Sequence, residues 1–381
     1  MADLGKIRVA VSHYWIVTWR GGEKVLKAIL ELFPEADVYT LFLDESIKKR
    51  YIQNYRVYPS ILNRISFLRK NHQKVFPLYP IGIKSLKLKG SYDLLISSES
   101  GPAKGIYRPM ELPHICYVHT PMRYCWGFTE EYLRSLPKGV KTLARFLLLM
   151  LRKWDETTID NVNTYIANSQ NVRDRIRKYY KKDAIVIYPP IKKELFDDPR
   201  MKVKGSKGEY FLSFGALVPY KRVDLLVEVF NKRDEKLVVI GEGSERKKLE
   251  SLAKDNITFL GYIEDGKLRE IILKSKALIF PGEEDFGMIP LEVMAAGVPV
   301  IAYGKGGALE TVLEGKSPES STGIFFENQA ADSLNIAIEK FKAMESDFDP
   351  FFIRSHAAQF SEETFKFNFM REVQKILGRS I

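Results

Sequence analysis

Residues 280–302 read Phe280-Pro-Gly-Glu-Glu-Asp-Phe-Gly-Met-Ile-Pro-Leu-Glu-Val-Met-Ala-Ala-Gly-Val-Pro-Val-Ile-Ala302. The apolar run that ends at Phe280 predicts a buried strand, and Val298–Ala302 predicts a second one. Between them, apolar residues at helical spacing predict a helix that opens at Phe286-Gly287 and runs to about Ala296. A strand, a loop, a helix and a strand in succession are typical of a parallel sheet that helices cover on both faces.

The same alternation of strand-like and helix-like segments runs along the whole chain. It predicts an α/β protein of two domains, separated by a linker in the Pro-, Lys- and Gly-rich stretch Pro189–Lys207. The first series of predicted strands is Ile7–Ser12, Ala36–Leu41, Tyr92–Ser97, His114–Val118 and Thr164–Asn168. The second series is Tyr210–Phe214, Lys236–Ile240, Ile257–Leu260, Ala277–Phe280 and Val298–Ala302. Because ligands bind outside the carboxyl ends of parallel strands, we expect a site in the cleft between two such domains.

Length and composition are those of a globular protein with two domains of ordinary size. The 381 residues are 45% hydrophobic and 28% charged, which excludes a disordered or fibrous chain. No apolar run approaches the roughly 20 residues that cross a bilayer, and no signal peptide precedes Ile7, so we expect a cytoplasmic protein. Cys116 and Cys125 are too few for a disulfide framework or a structural zinc site made of thiolates, and we expect both to be buried thiols.

The net charge of +11 is concentrated in one segment. Residues 46–92 contain no Asp or Glu but 11 Lys and Arg residues, interleaved with Tyr and Phe. Cations mixed with aromatic side chains favour an anionic membrane surface as a partner, where each cation contributes about 1 kcal/mol. The same charge would attract a nucleic acid, but no nucleic-acid-binding module is recognisable, so we expect none as a partner. The simpler alternative, a basic face that is merely solvated, remains open.

The loop and helix start at residues 283–287 have the chemistry of a diphosphate site. The first N–H groups of a helix lack intrahelical partners, and Gly287 lets an anion approach the backbone closely. Glu284 and Glu292, eight residues apart, would stand about 12 Å apart along a helix axis, whereas glycosidase carboxylates stand about 5 to 9.5 Å apart. Separate roles fit better, with Glu284 on a sugar and Glu292 on ribose hydroxyls. The alternative is an acidic helix start without a function.

The surrounding residues carry a family resemblance. Glu284-x7-Glu292 with Phe286-Gly287 between, followed by Ala295-Ala-Gly-Val-Pro-Val-Ile-Ala302, resembles the donor-site signature of the retaining glycosyltransferases of family 4. The longer string from Glu283 to Thr311 is similar to the GDP-mannose-dependent mannosyltransferases of lipopolysaccharide and O-antigen assembly. The resemblance implies the GT-B fold, with two Rossmann-like domains that face each other across a cleft. It implies an acceptor domain over residues 1–195, a donor domain over residues 196–357, and a final helix at about 358–381 that packs back on the first domain.

Further stretches extend the resemblance over nearly the whole chain. They are Trp19-Arg-Gly-Gly-Glu-Lys24, His119-Thr-Pro-Met-Arg-Tyr124, Ala167-Asn-Ser169, Tyr188-Pro-Pro190 and Gly215-Ala-Leu-Val-Pro-Tyr-Lys-Arg222. By resemblance, the catalytic residues are His119, Glu284 and Lys221, with Lys221 as the charge on the leaving diphosphate. The resemblance also implies donor contacts from Gly22, Arg222, Phe286, Gly287, Met288 and Glu292, and acceptor contacts from Gly21 and Arg123. Taken alone, a Gly-Gly turn, a strand-end histidine and a Lys-Arg pair have simpler structural explanations.

The resemblance also implies a reaction. A hexose, with mannose from GDP-mannose favoured, would pass with retention of configuration to a glycan or a polyprenyl-diphosphate-linked acceptor. No cofactor or metal is implied, and Asp347–Asp349 is interpreted as a loop rather than a metal site. Together with the basic segment, a lipid-linked acceptor fits a peripheral position on the inner face of the membrane.

One position departs from the family pattern. Ala216 stands where the family usually has an arginine that helps to neutralise the diphosphate, so we expect weaker donor binding or a lower rate unless Arg222 or another cation substitutes. Two alternatives to a transferase remain open. One is a pseudo-transferase that only binds a nucleotide sugar, which Ala216 supports, and the other is a nucleotide-sugar epimerase of the same fold.

Overall fold

The chain folds into two compact units. A computed structural model describes residues 7–134 and 136–378. The first unit runs to residue 190 and takes in the chain again from residue 365, and the second spans residues 191–364. Residues 1–6, where we expect no leader, and residues 379–381, the end of the expected final helix, lie outside the described residues.

The first unit is built on a seven-stranded sheet, and its neighbouring strands are parallel. Its strands are β1 (Val9–His13), β2 (Asp37–Thr40), β3 (Arg56–Pro59), β4 (Leu94–Glu99), β5 (His114–Val118), β6 (Thr164–Ala167) and β7 (Ile185–Val186). Its helices are α1 (Gly21–Leu32), α2 (Glu45–Tyr51), α3 (Ser66–Lys70), α4 (Tyr79–Ser85), α5 (Thr129–Arg134), α6 (Lys138–Thr157) and α7 (Gln170–Tyr180). The strand order across the sheet is β3-β2-β1-β4-β5-β6-β7.

The second unit repeats this plan with six parallel strands in the order β10-β9-β8-β11-β12-β13. The strands are β8 (Tyr210–Phe214), β9 (Leu237–Ile240), β10 (Ile257–Gly261), β11 (Ser275–Phe280), β12 (Val300–Tyr303) and β13 (Gly323–Phe326). The helices are α8 (Glu194–Asp197), α9 (Val223–Phe230), α10 (Arg246–Leu252), α11 (Asp265–Lys274), α12 (Met288–Met294), α13 (Ala308–Thr311), α14 (Ala331–Met344) and α15 (Pro350–Ala358). The last helix, α16 (Glu362–Ile376), begins in the second unit and belongs to the first from Phe365 onward. Two parallel sheets of Rossmann type confirm the predicted fold class.

Each sheet reverses its strand order at one point, which is called its switch point. In the first sheet the reversal falls between β1 and β4, and in the second it falls between β8 and β11. Because the connections leave such a pair of strands in opposite directions, a crevice opens beyond their carboxyl ends, and ligands bind there. The strands end at His13 and Glu99 in the first unit and at Phe214 and Phe280 in the second. The topology therefore marks one expected ligand position in each unit.

Helix α16 completes the core of the first unit. Phe365, Phe369 and Val373 are buried in the same apolar cluster as Val11 of β1. The ring of Phe365 lies 5.8 Å from the ring of Tyr117 on β5. The three helix residues recur at intervals of four, so they lie along one side of α16 and face the sheet together. The core of the first unit therefore depends on residues near the end of the sequence.

The helix after Gly287 is shorter than predicted. This helix, α12, begins two residues later and ends two residues earlier than the apolar spacing suggests. Gly287 precedes it in a left-handed conformation, with φ +91°, which residues with a Cβ adopt only under strain. The turn after the helix contains Gly297, with φ +74°. The predicted helix ends were wrong because two glycine conformations, rather than the apolar pattern, fix them.

A buried ion cluster lies next to the carboxyl end of β4. Nζ of Lys104, a residue that is 0% exposed, lies 3.0 Å from Oε1 of Glu99 and also bonds to the carboxylate of Asp155 on α6. Trp126 donates its indole N–H to the same Asp155 at 2.8 Å. Burial raises the pKa of Glu99, against the opposing effect of the Lys104 charge. The cluster ties β4 to α6 inside an apolar core.

We expect Lys104→Met to lower the free energy of unfolding by about 3–5 kcal/mol, because two buried carboxylates then lose their counter-ion. Urea unfolding followed by tryptophan fluorescence measures the change. The matched control is Lys27→Met: Nζ of Lys27 lies 3.6 Å from Glu31 in a pair that is 50% and 36% exposed. Such a pair contributes about 0–1 kcal/mol. Equal stabilities of the two variants would contradict the stabilising role of the buried cluster.

Candidate functional site

In the first unit, α1 begins at the glycine pair that follows β1. Gly21 and Gly22 are the first two residues of the helix, where backbone N–H groups have no intrahelical acceptor. Glu23, 1% exposed, accepts the backbone N–H of Arg20 at 2.9 Å and the hydroxyl of Thr18 at 3.2 Å. These bonds fix the turn that presents the two glycines.

His119 and Gly22 come together in one small region. The backbone N–H of His119 donates to the Glu99 carbonyl at 2.7 Å, and Nε2 of His119 lies 2.9 Å from the hydroxyl oxygen of Ser98. A Cβ on Gly22 would lie 2.3 Å from the Tyr14 hydroxyl oxygen and 3.6 Å from Nε2 of His119. Glycine at position 22 therefore leaves room for Tyr14 beside His119. The structure brings together two of the predicted site residues at the switch point of the first sheet.

Arg123, a predicted acceptor contact, lies in the loop after β5. Its guanidinium carbon lies 5.1 Å from the ring centroid of Phe128. The guanidinium carbon of Arg175 lies 5.2 Å from the same ring. Both cations are thus held by a cation–π contact with one aromatic side chain. The acceptor role of Arg123 stays a prediction.

His13, at the carboxyl end of β1, was missed by the reasoning from sequence. Its side chain is 0% exposed, and among the described residues no group meets hydrogen-bond geometry with either ring nitrogen, although the Ser98 backbone lies near enough to raise the His13 pKa. Burial, and then the charge of His119, lower the pKa of His13, so the ring is neutral and retains an acceptor nitrogen. Buried polar atoms without partners are rare. The signal that could have revealed His13 is its position, since it ends a strand at the switch point.

In the second unit, Lys221 and Glu284 form an ion pair beyond β8 and β11. Nζ of Lys221 bonds to Oε1 of Glu284, and the two side chains are 14% and 20% exposed. Lys221 closes the 3-10 turn Pro219–Lys221 after β8, and its Nζ lies 5.8 Å from the ring centroid of Phe280, the last residue of β11. Two predicted catalytic residues, 63 positions apart in the sequence, are therefore adjacent at the switch point of the second sheet.

The loop that carries Glu284 rests on two glycines between β12 and α13. The N–H of Gly307 donates to the Glu284 carbonyl at 2.8 Å. A Cβ on Gly306 would lie 2.5 Å from that carbonyl oxygen, and a Cβ on Gly307 would lie 2.2 Å from Cα of Phe286. The side chain of Phe286 is buried, with its ring 5.8 Å from that of Phe360. The loop is therefore held by a close backbone approach on one side and by an aromatic contact on the other.

The other predicted donor contacts near this loop belong to α12 or precede it directly. Gly287 precedes the helix, Met288 is its first residue and Glu292 is its fifth. Glu284 stands in the loop before α12, so the separation of about 12 Å that a shared helix predicts for Glu284 and Glu292 does not apply. The predicted donor contacts thus follow one another from the loop into the first turns of one short helix.

Arg222, a further predicted donor contact, has a left-handed backbone with φ 55° directly before α9. Its Nε donates to Oδ1 of Asp224 at 3.1 Å, and its Nη1 donates to Oε1 of Gln329 at 3.5 Å. A residue with a side chain in this conformation costs about 1–3 kcal/mol, and such residues cluster at functional sites. This strain is consistent with a functional position, and the donor role of Arg222 stays a prediction.

Ala216, the departure from the family pattern, borders a small cavity at the ends of β8 and β11. The cavity has a volume of about 10 Å³ and is also lined by Gly215, Lys221 and Phe280; such a volume holds about one water molecule. A larger cavity of about 620 Å³ lies elsewhere in the first unit, beside Tyr92, which precedes β4. The larger cavity is therefore at the amino ends of the strands, away from the predicted site residues.

A metal centre is not found in the part of the chain that the structure describes, where no group of three or more His, Cys, Asp or Glu is arranged to hold an ion. Asp347 ends the 3-10 turn Glu345–Asp347. Asp349 accepts the backbone N–H of Phe351 at 2.9 Å and so caps α15. Asp347 is therefore part of a 3-10 turn, and Asp349 is a helix cap.

Two Rossmann-like units with candidate residues at both switch points define a protein of the GT-B class. The family model described as Glycosyltransferase Family 4 matches residues 19–195, and the model described as Glycosyl transferases group 1 matches residues 197–365. Between them, the two models include every predicted site residue. The chain belongs to the glycosyltransferases that join a family 4 domain to a group 1 domain, which confirms the predicted family.

Relatives of the chain include named mannosyltransferases. Alpha-1,3/1,6-mannosyltransferase ALG2 of Saccharomyces cerevisiae is 27% identical over 264 residues, 56% of this chain and 52% of that protein. O-antigen chain mannosyltransferase RfbU of Salmonella typhimurium is 30% identical over 173 residues, 42% of this chain and 46% of that protein. The chain spans about half the length of the curated relatives it matches. Among solved structures, HepE of Anabaena in complex with UDP has a TM-score of 0.69 at 15% identity, over 97% of this chain and 100% of HepE, a likeness of fold.

We expect Gly22→Ala to lower the free energy of unfolding by about 1–3 kcal/mol, because the added methyl group overlaps the Tyr14 hydroxyl. In a Tyr14→Phe background the overlapping oxygen is absent, so the same substitution is expected to be less destabilising. A double-mutant cycle on urea unfolding measures this coupling. If the effects of the two substitutions simply add, Tyr14 and Gly22 do not meet as described.

Proposed function

We propose that the chain is a retaining glycosyltransferase that moves a hexose from a nucleoside-diphosphate donor to a glycan or a lipid-linked acceptor. The observation that carries the proposal is the Lys221–Glu284 ion pair at the switch point of the second sheet. This pair places a cation suited to a leaving diphosphate next to a carboxylate suited to a sugar. Membership of the family supports the same reaction.

The leaving diphosphate is the group that this reaction must stabilise. Negative charge builds on it as it departs, while the sugar becomes oxocarbenium-like, and positive groups aimed at that charge accelerate the step. The Lys221 ammonium has three donors, so it can serve Glu284 and a phosphate oxygen together. Arg222 and the backbone N–H groups at residues 287 and 288 supply further donors. In this proposal the cations of the protein, rather than a metal ion, balance the charge.

Two carboxylates divide the recognition of the donor. Glu284 is positioned by Lys221 and accepts hydrogen bonds from hydroxyls of the sugar, because an ionised carboxylate accepts several bonds at once. Glu292, farther along α12, accepts from the ribose hydroxyls. Met288 contributes contacts at the helix start. Each assignment follows from the family resemblance and from the order of these residues along the loop and helix.

The acceptor contacts come from the first unit. Gly21 and Gly22 offer first-turn N–H groups of α1, and glycine lets an acceptor or a phosphate approach them closely. His119, oriented by its bond to Ser98, contributes to the reaction centre, and Arg123 contributes a cation. The proton of the acceptor hydroxyl passes to the departing phosphate oxygen, so no side chain is assigned as the general base.

We further propose mannose as the sugar and GDP-mannose as the donor. The support comes from ALG2 and RfbU, which are both named as mannosyltransferases, and from the resemblance of residues 283–311. HepE, solved with UDP, shares only 15% identity with the chain. It therefore supports the fold but not the identity of the nucleobase in the donor. The O-antigen relative also makes lipopolysaccharide assembly the favoured setting.

A thermal-shift screen against GDP-, UDP- and ADP-sugars tests the donor. We expect GDP-mannose to raise the Tm of the protein most, since a ligand at 100 times its Kd stabilises the native state by about 2.7 kcal/mol. A larger shift with a UDP- or ADP-sugar would contradict the choice of GDP-mannose. That result would leave the assignment as a glycosyltransferase intact.

We expect Lys221→Met to lower kcat by about 10²- to 10³-fold, because the leaving diphosphate loses a preorganised cation. Release of GDP from GDP-mannose in the presence of acceptor measures the rate. The matched control is Lys340→Met, since Lys340 lies 2.5 Å from Glu314 in a more exposed ion pair of the same unit. An unchanged rate in Lys221→Met would remove Lys221 from the mechanism.

Glu284→Ala separates catalysis from nucleotide binding. We expect this variant to retain GDP binding but to lose acceptor-dependent GDP release, because Glu284 is assigned to the sugar and not to the nucleoside. A wild-type protein that binds GDP-mannose yet releases no GDP with any acceptor would instead be the pseudo-transferase that Ala216 favours. Conversion of the donor to an epimer without an acceptor would identify an epimerase.

A further inference from the structure

Helix α6 presents apolar side chains both to the core and to solvent. Leu148 and Leu151 are buried in the core of the first unit. A second set of apolar residues on the same helix is 48–60% exposed: Val140, Leu143, Phe146, Leu149 and Met150. Leu143, Phe146 and Met150 are spaced by three and four residues, so they lie along one side of the helix. An apolar stripe of α6 is thus left in contact with solvent.

A second set of exposed apolar side chains lies in the basic segment 46–92. These residues, 52–68% exposed, are Ile61, Ile65, Phe67 and Ile81. They belong to the 3-10 turn Ile61–Arg64, to α3 and the residue before it, and to α4, and the 3-10 turn packs against both helices. The 3-10 turn Phe76–Leu78, which leads into α4, packs against α6. The two apolar sets therefore lie on neighbouring elements of the first unit.

Cations accompany these apolar side chains. Arg64, Lys70 and Lys74 are exposed close to Phe67 in the sequence, and the whole segment 46–92 contains no carboxylate side chain. On α6, Arg145 pairs with Glu130 at 2.8 Å, and other cations are exposed on this helix. Exposed apolar and aromatic side chains with cations around them match a surface that is apolar below and anionic at the level of its headgroups.

We propose that α6 and the elements around Phe67 form a docking surface for an anionic lipid bilayer. An amphipathic helix with an exposed apolar side inserts about 5–10 Å into the boundary between headgroups and acyl chains. In the described part of the chain, no helix combines the length and the apolar character that crossing a membrane requires, and this surface needs neither. A second copy of the chain fits the surface less well, because a symmetric contact would bring two acid-free basic segments together. The inference concerns the location of the protein and does not depend on the proposed transfer reaction.

Co-sedimentation of the full chain with vesicles tests this surface. We expect the wild-type protein to bind vesicles of phosphatidylcholine with phosphatidylglycerol, to bind phosphatidylcholine alone more weakly, and to lose affinity at high salt. The triple variant Leu143→Ser, Phe146→Ser, Met150→Ser is expected to bind at least about tenfold more weakly, which corresponds to 1.4 kcal/mol. Because the three side chains are exposed, its Tm is expected to stay that of the wild type.

A matched control replaces apolar residues that are equally exposed elsewhere. Ile336→Ser with Phe351→Ser, at positions 69% and 68% exposed in the second unit, is expected to leave vesicle binding unchanged. Arg64→Gln with Lys70→Gln and Lys74→Gln is expected to weaken binding to the anionic vesicles only. Wild-type protein that binds neither kind of vesicle, or a triple serine variant that binds like the wild type, would overturn the proposal. Self-association without vesicles that the triple variant abolishes would also overturn it, by assigning the stripe to a second copy.

Discussion

The backbone of residues 284–286 lies directly on Gly306 and Gly307, and the part of the candidate site in the second unit depends on that contact. A Cβ at either glycine would fall within 2.5 Å of backbone atoms of the loop, so no other residue allows the two segments to meet. The hydrogen bond from the Gly307 N–H to the Glu284 carbonyl then fixes the position of the loop. With the loop fixed in this way, Glu284 bonds to Lys221, and Gly287 can turn the chain into α12.

In the first unit, a buried ion cluster supports the strand end next to the candidate site residue His119. The cluster joins Glu99, the last residue of β4, to Lys104 and α6. The same end of β4 holds His119 through the Glu99 carbonyl and the hydroxyl of Ser98. The buried ion cluster thus supports the strand end that orients His119, while Gly22 leaves room for the Tyr14 hydroxyl beside this histidine. In both units, a glycine and an ion pair lie beside the carboxyl end of a parallel strand, which is where ligands bind in sheets of this type.

Sequence patterns could predict the parallel sheets and the site motifs, because both depend on residues close together in the chain. They did not predict β3, which contains Arg56 and ends at Pro59, β7, which has two residues, or β13 (Gly323–Phe326), since strands of two to four residues are too short to show a clear period. Sequence patterns also could not predict the contact between Lys221 and Glu284, because the sheet topology brings together residues that are 63 positions apart. The conformation of Gly287 decided where α12 begins, and a left-handed glycine has no periodic signal.

Helix α16 adds a constraint on how the molecule is made. Residues 7–190 are translated before the second unit, yet Phe365, Phe369 and Val373 of their core are translated after it. Domains usually fold in the order of their synthesis, but this first unit stays incomplete, with apolar surface uncovered, while the entire second unit is being made. The order of translation and the order of assembly therefore differ, and the emerging first unit has to remain protected from aggregation until α16 has been translated.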